Sequence, residues 1–188
     1  MSKTKPDIQD DERLLIKRLQ SKADKKSAFN QLANLYKEPL YWHIRHIVKQ
    51  HEDADDVLQN TFIKVFRYIE NFKGNSKLYS WLYRIATNES NTFLSKKAKR
   101  LKISNEELQD HLVDSLKSDP YFDGGEIEYQ LHKAVNKLPE KQQLVFRMRY
   151  FEDLKFKQIS EILDASVTSL KTNYHHAQKK IKKQLSAH

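Results

Sequence analysis

Apolar residues recur along most of this chain at the three- and four-residue spacing of an α-helix, not at the alternate spacing of a β-strand. A clear example falls at i, i+4, i+7, i+8 and i+11, and comprises Leu58, Phe62, Val65, Phe66 and Ile69. Residues at this spacing share one face of a helix and can be buried together. The pattern therefore predicts an all-α protein.

Similar stripes divide the first hundred residues into predicted helices. Residues 12–20 form a short first helix, and Ser27 is a suitable N-cap for a second. The second is expected to end near Glu38, because Pro39 disfavours helical geometry in the residue before it, and a third follows at once. Asp53 can cap the next helix. The last helix of this block fades after residue 94 and carries the stripe Leu78, Leu82, Ile85, Ala86 and Phe93.

The final part of the chain predicts four more helices. Their expected bounds are residues 126–138, Glu140–Tyr150, Phe156–Leu163 and Val167–Leu185. Pro139 ends the first of them, and Ser166 is well placed to cap the last. A short helix, a three-residue turn and a longer basic helix form the helix-turn-helix pattern. DNA binding and a two-helix corner without DNA function both fit this pattern.

Charge separates the chain into three parts. The net charge is +9, yet residues 104–130 hold eight acidic residues and a single basic one, Lys117. Two basic blocks on either side of an acidic segment favour two modules that bind a polyanion. We therefore predict two helical domains, residues 1–100 and 127–188, joined by an acidic flexible linker of residues 101–126. This linker has few apolar residues and is expected to hold one short helix near residues 105–116.

Several function classes lack the residues they need. The chain has no cysteine, which excludes thiol catalysis, disulfides and cysteine-ligated zinc. His43 and His46 are spaced as a metal pair, but no third ligand is evident. No apolar run approaches the roughly 20 residues that cross a bilayer, and the N-terminus does not resemble a secretory signal. We expect a cytoplasmic, monomeric protein without membrane insertion, enzymatic activity, metal or cofactor.

One loop and the helix after it carry residues suited to unpaired bases. Gly74 is the first glycine of the chain, and asparagines and lysines surround it. Trp81, Arg84 and Asn88 follow on one face of the next helix. Aromatic rings stack on bases, amides read base edges and cations hold phosphates. The alternative is that Trp81 and Tyr83 are core aromatics and that the cations are simply solvated.

Two motifs, in this order, resemble the second and fourth conserved regions of bacterial RNA polymerase sigma factors. The first combines Asp53-Ala54-Asp55-Asp56-Val57-Leu58-Gln59-Asn60-Thr61-Phe62 with Phe72-Lys73-Gly74-Asn75-Ser76 and Trp81-Leu82-Tyr83-Arg84-Ile85-Ala86-Thr87-Asn88. The second combines Leu138-Pro139-Glu140-Lys141-Gln142-Gln143 with Ile159-Ser160-Glu161-Ile162-Leu163 and Ser166-Val167-Thr168-Ser169-Leu170-Lys171-Thr172. Two regions and a short linker are the layout of the extracytoplasmic-function (ECF) group.

The resemblance implies a sigma factor that binds core RNA polymerase, recognises the −10 and −35 promoter elements and promotes DNA melting. The residues implied to contact the polymerase clamp helices are Asp53, Asp56, Val57, Gln59, Asn60 and Thr61. The residues implied to hold the −10 element are Asn71, Lys73, Gly74, Asn75, Ser76, Lys77, Tyr79, Trp81, Arg84 and Asn88. The residues implied to read the −35 element are Ser166, Thr168, Ser169, Lys171, Thr172, His175, His176 and Lys179. An anti-sigma factor is a further partner that the group allows.

Some positions depart from the usual pattern of that group. Leu78 stands where an aromatic residue is frequent, and Asn173, His176 and Gln178 replace positions often held by arginine. Two other functions remain open on the residues alone. One is a helix-turn-helix regulator that acts independently of polymerase, and the other is a basic interaction module that does not touch DNA.

Overall fold

The computed structural model describes residues 8–120, 122 and 124–186, and α-helices dominate these residues. No β-strand occurs among them, so the predicted all-α fold is confirmed. The helices are α1 (Ile8–Gln20), α2 (Lys25–Val48), α3 (His51–Tyr68), α4 (Leu78–Leu101), α5 (Asn105–Asp114), α6 (Glu126–Asn136), α7 (Glu140–Tyr150), α8 (Phe156–Leu163) and α9 (Val167–Leu185). None of these helices is long and apolar enough to span a bilayer.

Helices α1–α4 pack into a front bundle, or front block, in which α2, α3 and α4 are mutual neighbours. The predicted stripes supply much of its core: Leu58, Val65 and Ile69 of the α3 stripe are buried, as are Leu78 and Leu82 of α4, whereas Phe66 of the α3 stripe is 41% exposed. Burial of one face of each helix removes apolar surface from water and is the main source of stability for such a bundle.

Pro39 does not end a helix, contrary to the sequence-based expectation. A single helix, α2, runs from Lys25 to Val48 with Pro39 inside it, and Ser27 lies within that helix instead of capping it. Pro39 removes the backbone bond to the carbonyl of Leu35, but both residues are exposed, so water can hydrogen-bond that oxygen. Buried Leu32 and Leu40 on either side keep the helix on the core.

Helix α4 also extends beyond its predicted end, to Leu101. Leu94 and Ala98 are both buried, which holds the last two turns against the bundle. Lys97 adds a bond from its Nζ to the Asp53 carboxylate at 2.5 Å. Helix α3 begins earlier than predicted, at His51, so Asp53 lies in its first turn and not at its N-cap.

Helices α6–α9 form the rear block, and they match their predicted positions closely. Val135, Phe146, Ala177 and Ile181 form their own buried cluster. In the helix-turn-helix, Asp164 adopts the left-handed conformation (φ 52°) and ends α8. The Ser166 hydroxyl then accepts a 3.1 Å hydrogen bond from the Ser169 amide and caps α9, as predicted.

The acidic segment is more ordered than a flexible linker. It contains the expected short helix, α5, followed by a 3₁₀ turn at Ser115–Ser118. Its apolar side chains are buried against helices of both blocks: Leu108, Leu112, Val113 and Leu116. Leu108 and Leu112 extend the main core that the other helices form, and Val113 and Leu116 form a small separate cluster with Tyr129 of α6. The expected flexibility is therefore not confirmed.

Candidate nucleic-acid interface

The loop of residues 71–77 joins α3 to α4 and is fixed at both ends. Its Phe72 side chain is buried and lies 5.3 Å from the Trp81 ring, centroid to centroid. Gln20 of α1 donates a 2.8 Å hydrogen bond to the Phe72 carbonyl oxygen. Glu12, also on α1, accepts a 2.9 Å bond from the Leu78 amide and so binds a free N–H at the start of α4.

Gly74 stands at the turn of this loop with φ 71°. An added Cβ at Gly74 would meet no atom within 4 Å. The glycine is therefore required by backbone conformation and not by a close contact.

The loop borders an open groove of about 1550 Å³. Of the ten residues implied to hold the −10 element, all but Asn88 line this groove. Asn71, Lys73, Gly74, Asn75 and Lys77 are exposed, and Ser76, Tyr79, Trp81 and Arg84 are half-buried. Asn88 is exposed one helical turn beyond Arg84.

The opposite wall of the groove comes from α1, which the sequence did not indicate. Arg13 and Lys17 line this wall together with Gln20. The two cations are four residues apart, so they lie on one face of α1, away from buried Leu15 and Leu19. That spacing is the signal in the sequence, but only the fold brings this face to the loop.

A residue of the helix-turn-helix closes one side of the groove. The Tyr79 hydroxyl donates a 2.7 Å bond to Glu161 of α8, and Lys77 Nζ lies 3.9 Å from the same carboxylate. Burial and the bond to Glu161 raise the pKa of Tyr79 to about 12, although a hydrogen bond from Ser80 opposes the shift. The rear block is therefore in direct contact with the front bundle at the loop.

The acid-and-amide face of α3 lies on the other side of the front bundle's core residues. Asp56, Gln59 and Asn60 are exposed on it, and Asp53 is half-buried beside Lys97. Two of the residues implied to contact polymerase differ from expectation. Val57 is 1% exposed and Thr61 is 0% exposed, and the Thr61 hydroxyl donates a 2.8 Å bond to the Val57 carbonyl. Their side chains belong to the core because they fall on the same side of α3 as Leu58.

Helix α9 presents its polar residues to solvent. All eight residues implied to read the −35 element are exposed: Ser166, Thr168, Ser169, Lys171, Thr172, His175, His176 and Lys179. Buried Leu170 lies on the opposite side and packs with Ile159 and Ile162 of α8. This packing sets the angle between the two helices and leaves the N-terminal half of α9 open.

The two histidines spaced as a metal pair occupy an interior position instead. His43 is 1% exposed and contacts Thr87 (Nε2 to Oγ1, 2.8 Å) and Glu152 (Nδ1 to Oε1, 3.0 Å). Over the part of the chain that the structure describes, no group of three or more His, Asp or Glu side chains could hold a metal ion.

Comparison with known proteins agrees with this geometry. Residues 32–100 match the family model of sigma-70 region 2, and residues 128–181 match that of sigma-70 region 4. The ECF RNA polymerase sigma-E factor of Haemophilus influenzae is 30% identical over 179 residues, which cover 91% of this chain and 93% of that protein. The RNA polymerase sigma-H factor of Pseudomonas aeruginosa is 30% identical over 185 residues, covering 94% and 95%.

The chain belongs to the ECF group of sigma-70 family sigma factors. Its function is accordingly promoter-specific transcription initiation by RNA polymerase. Members of this family are not enzymes.

Solved structures show the same fold for this ECF sigma factor. CnrH, in complex with the cytosolic domain of CnrY, aligns with a TM-score of 0.67 at 20% identity, covering 94% of this chain and 97% of CnrH. RpoE of Bartonella quintana, in complex with the anti-sigma factor NepR, aligns with a TM-score of 0.61 at 19% identity, covering 84% and 96%.

Proposed function

We propose that this ECF sigma factor divides promoter recognition between two surfaces. The groove at the 71–77 loop holds an unpaired base of the −10 element, and the exposed face of α9 reads the −35 element as duplex. The observation that carries the proposal is the open groove beside a glycine-containing loop, backed by a half-buried tryptophan and bordered by cations.

The groove combines the chemical groups that a flipped base and its phosphate need. Asn71 and Asn75 supply amides that can donate to and accept from a base edge. Trp81 is held in place by buried Phe72, so little side-chain freedom remains to be lost on binding. Arg84 has a buried Nε without a hydrogen-bond partner among the described residues, which a phosphate oxygen would satisfy.

Strand separation follows from unequal binding to the two forms of DNA. Extruding a base costs a few kcal/mol of stacking and pairing. A groove that fits a single unpaired base cannot hold the same base within a duplex. Contacts made only to the melted strand therefore offset that cost and favour the open complex.

Helix α9 has the dimensions and chemistry for the major groove. Its 19 residues extend for about 28 Å. Thr168, Ser169 and Lys171 lie exposed near its N-terminus, where the positive end of the helix dipole faces an incoming phosphate. Lys179 lies further along and is suited to a backbone contact.

The exposed face of α3 is proposed as the polymerase-docking surface. Asp56, Gln59 and Asn60 present acid and amide groups that would repel or ignore DNA but can pair with basic residues of a protein. Asp53 is already bonded to Lys97, so its contribution is to fix the start of α3. Val57 and Thr61 are left out of this surface because they are buried.

The proposed functions also divide along the chain. We assign residues 1–100 to polymerase and −10 binding, residues 127–188 to −35 binding, and residues 101–126 to the connection between them. The protein acts in the cytoplasm, as a monomer when free, and has no chemistry of its own. An anti-sigma factor is a proposed partner, since the RpoE structure with a similar fold is bound to one.

Two substitutions test the division of labour, and each is the control for the other. Asn75→Ala should reduce permanganate reactivity of unpaired thymines in the −10 region while duplex −35 binding is unchanged. Lys171→Ala should weaken duplex −35 binding by about 1 kcal/mol or more, with a smaller effect on melting at saturating protein. Equal effects of both variants on both measurements would contradict the assignment.

A further inference from the structure

A cluster of cationic and imidazole side chains lies where α2 meets the rear block. We call it the interblock cluster; it comprises His43, Arg45 and His46 of α2, Lys49 directly after α2, His132 of α6, Arg147 of α7, and Glu152 after α7. Lys49 is 2% exposed, Arg147 4% and His132 6%, so the contact has removed these groups from water. Neither promoter surface described above uses this cluster.

Only part of the cluster is electrostatically satisfied. Glu152 contacts His43 at 3.0 Å and lies 3.8 Å from His46 Nδ1. Arg45 bonds to Asp119 at 2.5 Å. In this half of the cluster, each basic side chain therefore lies beside a carboxylate.

The other half brings three bases together, and among the described residues no acid is hydrogen-bonded or ion-paired to them, although Glu152 acts on Arg147 at longer range. Lys49 Nζ lies 3.4 Å from His132 Nδ1, a contact that requires the imidazole to be neutral and to accept the bond. Arg147 donates a 2.8 Å bond to Gln143, but its buried Nε has no hydrogen-bond partner among the described residues. Phe151 stacks on the rings of both His132 and His46, at 4.9 and 5.1 Å between centroids, and covers one face of each ring.

Each of these bases is held in a weakly basic state. Burial, together with the charges of Arg147 and Arg45, lowers the pKa of Lys49 well below its usual value. Burial, reinforced by Lys49 and Arg147, lowers the pKa of His132 to about 2. Burial also lowers the pKa of His46, although Glu152 opposes the shift. Separation of the two blocks would return all three to ordinary basicity.

We propose that the interblock cluster is a proton-sensitive clasp that holds the front and rear blocks together and releases them as pH falls. Lys49, His46 and His132 share this region with other charged or titratable groups: Arg45 and His43 on α2, Tyr83 on α4, Asp119 after α5, and Glu152 after α7. Opening would also withdraw Glu161 from Tyr79 and so remove one side of the groove at the 71–77 loop. That last consequence rests on the proposed function of the loop, whereas the clasp itself does not.

The direction of the pH effect follows from the lowered pKa values. A base whose pKa is lower in the closed chain takes up a proton on opening, so acid favours the open form. Opening therefore favours proton uptake by Lys49, and His46 and His132 take up protons as pH falls below about 6.5. For Glu152, burial raises the pKa, but the two histidines outweigh it and hold the value at about 2. Its contribution to the closed form is lost only at strongly acidic pH.

The expected effect is about a tenfold rise in the open-to-closed ratio per pH unit for each proton taken up. The ratio should therefore rise as pH falls and should rise most steeply below about pH 6.5, where His46 and His132 take up protons. Lys49→Met keeps the length of the side chain but cannot take up a proton. His132→Phe keeps an aromatic ring against Phe151. Either change should flatten the pH response.

The test measures an interblock distance in the full chain, without polymerase or DNA. Because the chain has no cysteine, Arg67→Cys on α3 and Lys183→Cys on α9 give two unique sites for fluorescent labels. Energy transfer between the labels is followed from pH 8 to pH 6, with far-UV circular dichroism on the same samples. Exposed His111, changed to Gln, provides the matched control.

The proposal predicts that the labels move apart as pH falls while helicity stays constant, and that the control behaves as the parent chain does. A distance that does not change with pH would overturn it. So would an unchanged pH response in both Lys49→Met and His132→Phe, or a distance change that occurs only together with loss of helix. None of these results depends on promoter binding, so the clasp can fail while the assignments of the loop and α9 stand.

Discussion

The hydroxyl of Tyr79 donates a 2.7 Å hydrogen bond to the carboxylate of Glu161, and this bond links the helix behind the 71–77 loop to the first helix of the helix-turn-helix. The two residues are 82 positions apart in the chain. The proposed −10 surface and the helix-turn-helix are therefore in direct contact in the free protein, through this bond and through the neighbouring contacts of Lys77 and Ser80 with Glu161.

Removing this contact should loosen the connection at small cost to the fold. We expect Tyr79→Phe to lower the free energy of unfolding by about 1 kcal/mol, the usual value of one hydrogen bond. Urea denaturation followed by circular dichroism measures the change. Tyr68→Phe is the matched control, because Tyr68 is 47% exposed and its hydroxyl can bond to water in either state. Equal losses in both variants would show that the Tyr79 bond contributes nothing.

Gly74 provides a test of the loop conformation. Gly74→Ala places a side chain at φ 71° with no atom within 4 Å, so its cost should be purely conformational, about 1 kcal/mol. We expect weaker binding of a single-stranded −10 oligonucleotide, measured by fluorescence anisotropy. Gly74→Asn should bind better than Gly74→Ala, because asparagine tolerates the left-handed region.

The control is Gly125→Ala, which also meets no atom within 4 Å but has a negative φ of −70°. This variant should keep the parental affinity. If Gly74→Ala and Gly125→Ala behave alike, the conformation of the 71–77 loop does not determine binding.

Ser166 combines a structural and a proposed recognition role, which two substitutions can separate. Ser166→Ala removes the N-cap of α9 and should lower stability by 0.5–2 kcal/mol, about 1 as the central value. Ser166→Asp can still cap the helix and should stay near the parental stability, yet its negative charge should weaken duplex −35 binding. Denaturation and filter binding measure the two effects. Full −35 affinity in Ser166→Asp would show that this position does not approach DNA.

The docking surface on α3 can be tested without disturbing the core. Replacing Asp56 and Gln59 together with Ala should weaken association with core RNA polymerase at least several-fold, since both side chains are exposed. Helicity should not change, because alanine favours the helix. A pull-down with purified core enzyme measures the association, and exposed Glu38→Ala on α2 is the control. Unchanged association would remove this face of α3 from the interface.

Much of the fold could be predicted because each helix carries its own apolar stripe. The rear helices were placed correctly since Pro139, the turn at Asp164 and the Ser166 cap are local signals. Pro39 predicts a helix end that the structure does not show, because the tertiary packing of α2 outweighs the preference of the residue before proline for an extended conformation. The flexibility expected of the acidic segment is not confirmed, because Leu108 and Leu112 pack into the main core and Val113 and Leu116 pack with Tyr129 of α6.

The residues of the candidate site can be predicted from the sequence, but the residues that contact them from other helices cannot. The 71–77 loop and its lysines can be identified from composition and from the family resemblance. Glu12, Gln20 and Glu161 contact that region only through the tertiary fold, and each is many positions away in sequence. The family resemblance places Val57 and Thr61 on a surface, but the buried face of α3 is displaced from the predicted stripe, so that Val57 and Thr61 are buried and Phe66 is exposed.

The central claim is that this chain gives bacterial core RNA polymerase its promoter specificity. The most direct measurement is transcription in vitro with purified core enzyme on a library of randomised promoters. We predict that adding the protein yields transcripts from templates that share a −10 and a −35 sequence, and that Lys171→Ala reduces the yield while keeping the same start sites. No promoter-dependent transcript at any template would contradict the account.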